Sequence, residues 1–128
     1  MPPAYPPTLE VFYSPACAPC RLELPVVAAF AKEGGRVQVT ILDQEDRARD
    51  QLRKVSAALE TNAKTDIAAL PGAVLRTAGD SDGILPYARS TANSRICAKW
   101  EGRLTIEKAR SLIAACARAF TSRPPPRS

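Results

Sequence analysis

Leu9-Glu10-Val11-Phe12-Tyr13-Ser14-Pro15-Ala16-Cys17-Ala18-Pro19-Cys20 is the stretch from which the rest of the chain can be read. Apart from Glu10, its first five residues are apolar, aromatic or β-branched, and they stop at Ser14-Pro15 as a buried strand ending in a turn does. Cys17 then stands at the door of a helix. Pro19 suits the first helical turn, where a missing N–H costs nothing, and Leu22, Val26, Ala29 and Phe30 recur at helical spacing until Gly34-Gly35. Pro25 falls inside that helix, where it removes one backbone hydrogen bond and crowds the carbonyl four residues back, so a kink is expected.

Working outward, Val37, Val39 and Ile41 alternate with Gln38 and Thr40 and give a second strand. Asp43–Asp46 reads as the start of a helix with Ala48, Leu52, Val55 and Leu59 on one face. Strand, helix, strand, helix points to a parallel pair joined by a right-handed crossover. Between 61 and 83 the pattern weakens: Asp66–Leu70 reads as one helical turn, Pro71-Gly72 as a turn and Gly79–Gly83 as a loop. Tyr87–Thr91 and Ile96–Trp100 flank Ala92-Asn93-Ser94-Arg95, a polar tetrad suited to a hairpin turn. Thr105 can cap a final helix whose face reads Ile106, Ala109, Leu112, Ile113, Cys116 and Phe120. The expected class is α/β, with a central mixed sheet flanked by helices in βαβαββα order. One domain is expected over 8–120, between a flexible Pro-rich arm at 1–7 and a tail at 121–128 containing Pro124-Pro125-Pro126.

With 128 residues and 45% hydrophobic content, the chain has enough apolar material for one core. Its net charge of +5 comes from dispersed basic residues with only 5% aromatics, which fits a solvated surface favouring acidic protein partners and not nucleic acid. No run approaches the ~18 apolar residues of a membrane span, and Met1–Pro7 lacks a signal peptide's basic start and apolar stretch. A cytoplasmic location is the expectation, or a periplasmic one if a signal peptide was removed ahead of this numbering. The four cysteines come without any histidine, so a zinc site would have to recruit Cys97 and Cys116, one mid-strand and one mid-helix. No metal is expected. Cys116 reads as a small buried hydrophobe and Cys97 as an edge-strand residue near the same helix; a bridge between them stays open at this point.

These elements resemble the thioredoxin-fold family. A strand leads directly into Cys17-Ala18-Pro19-Cys20, Arg21 follows, and Pro25 falls where that family kinks its active-site helix. Ile84-Leu85-Pro86 is similar to the family's cis-proline segment, and the sixteen residues from Pro86 to Gly102 match its spacing to the glycine after the last strand. That spacing favours Pro86 over Pro71 for the cis role. The resemblance covers about 8–118, with no clear counterpart for 61–83. Ala16 stands in place of the usual tryptophan, Tyr87 in place of a threonine, and Val11 in place of the buried acid six residues before the first cysteine. The chain is therefore divergent, and closer to small glutaredoxin-like members than to classical thioredoxin.

What the resemblance implies is thiol–disulfide exchange, with Cys17 as nucleophile and Cys20 as resolving cysteine. Ala16, Leu85 and Pro86 would guide an extended substrate, while Ala18, Pro19 and Pro25 support the motif. Only a thiolate attacks a disulfide, and a helix N-terminus lowers a thiol pKa from about 8.5. A shift to about 7 brings the thiolate from a few per cent to about half at neutral pH. Ala18-Pro19 supplies no histidine to hold the thiolate, which favours reduction of protein or small-molecule disulfides over their oxidation. The implied partners are a disulfide-containing protein or small thiol substrate and an unidentified electron donor. No cofactor is implied, and the chain is expected to be a monomer. With Val11 replacing the acid and Glu10 facing the other side of its strand, slow release by Cys20 is expected. The alternatives are a non-catalytic binding module and an envelope disulfide oxidase or isomerase.

Overall fold

The computed structural model describes residues 6–121, and the side chains of 6–119. Most of the expected arm and tail, and the side chain of Phe120, lie outside the described residues. The elements are β1 (Thr8–Tyr13), α1 (Ala18–Lys32), β2 (Val37–Ile41), α2 (Glu45–Val55), α3 (Ala57–Asn62), β3 (Lys64–Thr65), α4 (Pro71–Thr77), β4 (Tyr87–Ala92), β5 (Arg95–Glu101) and α5 (Ile106–Thr121).

They form one mixed sheet in the order β3-β2-β1-β4-β5. β1 runs parallel to β2 from Leu9 opposite Val37 to Tyr13 opposite Ile41, and antiparallel to β4. The period-two rule then sorts its side chains between two layers. Leu9, Val11 and Tyr13 join Val39, Ile41 and Ala88 in the main core, under Leu24, Val27 and Phe30 of α1, Leu52 and Leu59 of α2 and α3, and Ala109 and Leu112 of α5. Phe12 faces the other way, onto Tyr87 at 5.4 Å between ring centroids, with Val74 and Leu75 of α4 and Ala78 just after it completing a smaller core. The β4–β5 turn narrows to Asn93-Ser94, both in the left-handed region at φ 53° and 64°, which is the hairpin geometry that follows strand twist. Thr105 caps α5 as its sequence implied, its Oγ1 accepting from Lys108 N at 3.1 Å.

Four expectations are corrected. The buried face of α1 is Cys20, Glu23, Leu24, Val27 and Phe30, while Leu22 and Ala29 are exposed and Val26 is half-buried. Pro25 lies on the solvent side of that phase. Second, the helix read through Val55 and Leu59 is two helices, because Ser56 is extended and its Oγ accepts from Leu59 N at 3.3 Å, starting α3. Val55 is consequently exposed. Third, Asp66–Leu70 is not helical, and Pro71-Gly72 opens α4, with Pro71 in the first turn where its missing N–H is harmless. β3 and the extra helices lengthen the expected element order without changing the class.

The fourth concerns Cys116, which is fully buried but bonded to Cys97, with their Cα atoms 4.9 Å apart. The hairpin puts β5 at the sheet edge, and α5 packs back over β5 and β4. This return brings residues 19 apart in sequence to one level and ties the last helix to the edge strand. Replacing both Cys97 and Cys116 by alanine is expected to lower the unfolding free energy by about 2–4 kcal/mol, measured by urea titration with Cys17 and Cys20 left oxidised. An unchanged midpoint would show that packing alone holds α5.

Candidate active site

β1 ends at Tyr13, whose carbonyl accepts from Leu42 N at 2.9 Å. The chain must then pass from strand to helix within four residues, and Ser14 organises the passage. Its buried hydroxyl donates to Asp43 Oδ1 at 2.7 Å and accepts from Ala16 N at 3.2 Å, while its carbonyl accepts from Cys17 N at 3.0 Å. The Arg21 guanidinium reaches back to donate to the Pro15 carbonyl. All these bonds fix one object, the backbone of Cys17.

Cys17 is the N-cap of α1, and its Sγ accepts from Cys20 N at 3.2 Å. The sulfur thus takes the place that a Ser or Asp oxygen takes at other helix starts, against unpaired N–H groups and the positive end of the helix. Cys17 and Cys20 are joined as a disulfide with Cα atoms 5.2 Å apart. The two sulfurs are not equivalent. Cys17 is half-buried beside exposed Ala16, Ala18 and Pro19, whereas Cys20 is only 2% exposed and belongs to the main core.

The Leu85–Pro86 peptide bond is cis, and the Pro86 carbonyl accepts from Gly102 N at 3.1 Å. Gly102 sits at φ +136°, which explains why a glycine holds that position. Leu85, Ala16 and Cys17 come together along an open cavity of about 250 Å³, whose far side is Pro71, Leu75 and Gly83. Cys20 lies behind it. Pro25 stands two turns along α1 on the exposed side and takes no part in the cavity.

The sequence reading missed Glu23. One turn beyond Cys20 on the same buried face, it is 3% exposed, and its Oε1 accepts from Leu104 N at 2.6 Å. Burial pushes its carboxyl up from 4.5 to about 7, against the lowering pull of that hydrogen bond and of Arg103. The signal was present, since an acid three residues after Cys20 shares its helix face once the phase is right. Glu10, by contrast, faces the other side of the sheet as expected, ion-paired to Arg89 at 3.1 Å and accepting from Thr91 Oγ1 at 2.8 Å. Among the described residues, no group of three or more histidines, cysteines or acids is arranged to hold a metal ion, and no helix is long and apolar enough to cross a membrane.

No protein-family model and no curated protein matches the chain at the level of sequence. Solved structures do match at the level of fold. A thioredoxin-related protein from Neisseria meningitidis serogroup B superposes with a TM-score of 0.71 at 19% identity, over 88% of this chain and 86% of that one. StoA from Bacillus subtilis gives 0.63 at 18% identity, over 87% and 82%. A secreted thiol-disulfide isomerase from Corynebacterium glutamicum gives 0.60 at 15% identity, over 84% and 68%. The fold is thioredoxin-like, in a divergent form.

The raised pKa of Glu23 has a consequence for stability. A carboxyl whose folded pKa exceeds its unfolded value contributes stability that is fully present below pH 4.5 and lost as pH rises through about 7. Relative to Glu23→Gln, the wild-type unfolding free energy should fall by about 3 kcal/mol across that window, measured by denaturant titration at several pH values. Parallel pH profiles for the two proteins would show that Glu23 is not perturbed.

Proposed function

We propose that this thioredoxin-fold chain is a thiol–disulfide oxidoreductase that reduces disulfides, with Cys17 as nucleophile and Cys20 as resolving cysteine. The observation that carries the reading is the asymmetry of the pair: an accessible sulfur capping a helix, bonded to a buried one a turn deeper. In the reduced protein the Cys17 thiolate attacks one sulfur of the substrate disulfide, forming a Cys17–substrate bond and releasing the other sulfur as a thiolate that takes a proton from water. Cys20, deprotonated, then attacks Cys17 Sγ. The Cys17–Cys20 bond forms and the second substrate thiol leaves. The substrate gains two electrons and two protons, the protein ends oxidised, and a dithiol donor must reset it.

Glu23 takes the role that Val11 leaves empty. With a pKa near neutrality and a place next to Cys20 on the helix, it is suited to accept the Cys20 proton directly or through one water. The slow release expected from Val11 is accordingly replaced by release that depends on Glu23. Leu85, preceding the cis bond, offers its backbone to an extended substrate while Ala16 leaves the approach to Cys17 open. Ala18 and Pro19 add no charged group beside the thiolate.

We place the protein in an oxidising compartment, in favour of the periplasmic alternative over the cytoplasmic one. The support is the Cys97–Cys116 bridge, far from the redox pair and not part of its chemistry, since structural disulfides persist where thiols are not kept reduced. The Corynebacterium neighbour, described as secreted, points the same way. Its description as an isomerase keeps an oxidase or isomerase as the second reading.

The reduction potential of the Cys17–Cys20 pair decides between the two. Equilibration with glutathione buffers should give about −230 mV or lower; a value near −120 mV would assign an oxidase, and no reversible disulfide would leave a binding module. Cys17→Ser should abolish turnover of a model disulfide. Glu23→Gln should slow release of the Cys17 mixed disulfide about 10- to 100-fold at neutral pH and remove the rise of that rate through about pH 7, read by stopped-flow. An unaltered pH profile would remove Glu23 from the mechanism.

A further inference from the structure

The segment between β3 and β4, which has no counterpart in the sequence resemblance, contains a fully buried acid that the exchange chemistry does not use. Asp80 stands between the end of α4 and the cis bond, and it does not line the cavity beside Cys17. An acid in that position needs a reason.

The stretch that carries it is fastened to the sheet. The Ala78 carbonyl accepts from the buried Tyr87 hydroxyl at 2.8 Å and from Arg89 Nη1 at 2.9 Å, and the Gly79 carbonyl accepts from Lys99 Nζ at 3.1 Å. The approach is close: a Cβ on Gly79, at φ +106°, would lie 2.9 Å from Lys99 Cδ and 3.0 Å from the Tyr87 oxygen, so a glycine is required there. Asp80 N then donates to the Leu75 carbonyl at 2.9 Å and closes the end of α4. Tyr87, which stands in place of a threonine in the resemblance, thereby ties β4 to the loop ahead of the cis bond.

From this fixed base Asp80 reaches forward along the chain. Its carbonyl accepts from Gly83 N at 3.2 Å, and its Oδ2 accepts from Ile84 N at 3.1 Å. Beyond the cis bond, the Pro86 carbonyl accepts from Gly102 N at 3.1 Å. The backbone is held just before Leu85 and just after it, while among the described residues the N–H and carbonyl of Leu85 itself have no backbone partner. The edge is at once kept in place and kept open.

The carboxyl does this at a cost. Asp80 Oδ1 has no hydrogen-bond partner among the described residues, and a buried carboxyl with one oxygen unpaired adds little to the stability of a fold. Ile84, whose N–H it holds, is an exposed residue that water can reach.

We infer that Asp80 is a positioning residue for the substrate: its carboxyl fixes the Ile84 amide, and through it sets the Leu85 backbone where an extended substrate pairs beside Cys17. This rests on the redox reading above and adds to it a residue that acts only through Leu85. A residue serving the fold alone would behave differently when replaced.

The test uses the full-length protein, dithiothreitol as the resetting dithiol, and two disulfides: a peptide disulfide, which can pair with the Leu85 backbone, and hydroxyethyl disulfide, which has no backbone to pair. Asp80→Leu roughly keeps the volume and removes the acceptor. It should fold with an unfolding midpoint close to that of the wild type. Its KM for the peptide should rise about tenfold with kcat little changed, the size of one lost backbone hydrogen bond, while hydroxyethyl disulfide turnover and the reduction potential stay as they were. Asp80→Asn keeps an oxygen acceptor for Ile84 N and should restore the wild-type KM. Hydrogen exchange at the Ile84 amide should follow the same order, slow in the wild type and Asp80→Asn and fast in Asp80→Leu. An Asp80→Leu protein that fails to fold, or that loses rate equally on both disulfides, would assign Asp80 to the fold and overturn the inference alone. So would a peptide KM that does not move, or an Asp80→Asn protein that behaves as Asp80→Leu does. Failure of the wild type to turn over hydroxyethyl disulfide would overturn the redox reading and the inference with it.

Discussion

The fixed end of β1 is the constraint on which the site depends. β1 is the middle strand, paired to β2 on one side and β4 on the other, and its side chains are buried on both faces from Leu9 to Tyr13. Such a strand has no freedom to slide, because a shift by one residue would exchange its two cores, Val11 and Tyr13 for Phe12. Cys17 is four residues beyond the strand's last residue, and Ser14 accounts for that gap with three hydrogen bonds. The sulfur of Cys17 therefore inherits the rigidity of the core without being part of it, which suits the proposed role of a nucleophile that meets a substrate at one angle.

Behind it, the buried carboxyl of Glu23 combines a cost with a tie. A carboxyl in the core costs free energy as long as it is charged, and the hydrogen bond from Leu104 N offsets only part of that cost. The same bond ties α1 to the chain entering α5, which is also held by the Arg110–Glu33 ion pair at 2.9 Å and by the Cys97–Cys116 bridge to the sheet edge. A glutamine could make the tie, but it could not take a proton from Cys20. In the proposed reading the acid stands on the helix, three residues after Cys20, and not on the strand, where Val11 packs into the main core.

Much of this was legible in the residues, and the misses have physical causes. An apolar, β-branched run placed β1, alternation placed β2, the polar tetrad Ala92-Asn93-Ser94-Arg95 placed the hairpin turn, and Thr105 capped α5, because each of these is decided by neighbours in sequence. The phase of α1 was not, since Leu22 and Val26 imitate the buried stripe of Leu24 and Val27, and only the inward position of Cys20 chooses between them. Losing that phase also hid Glu23. Ser56 split a helix whose apolar spacing ran on without a break, and Pro71 read as a turn residue when it is a helix starter. The pairing of Cys97 with Cys116 depends on how α5 folds back over β5, which no local pattern specifies.

The β3–β4 segment, least legible in sequence, is nonetheless the one whose Pro71, Leu75 and Gly83 line the cavity beside Cys17. α4 is short and carries the smaller core on Phe12, Leu42 and Tyr87, so its placement is set by a few contacts and by the approach of Gly72 to Gly83. A sequence pattern tuned to packing has little to record there. The same economy leaves Leu70 and Ile84 unburied, although a short connection could have avoided large apolar residues altogether.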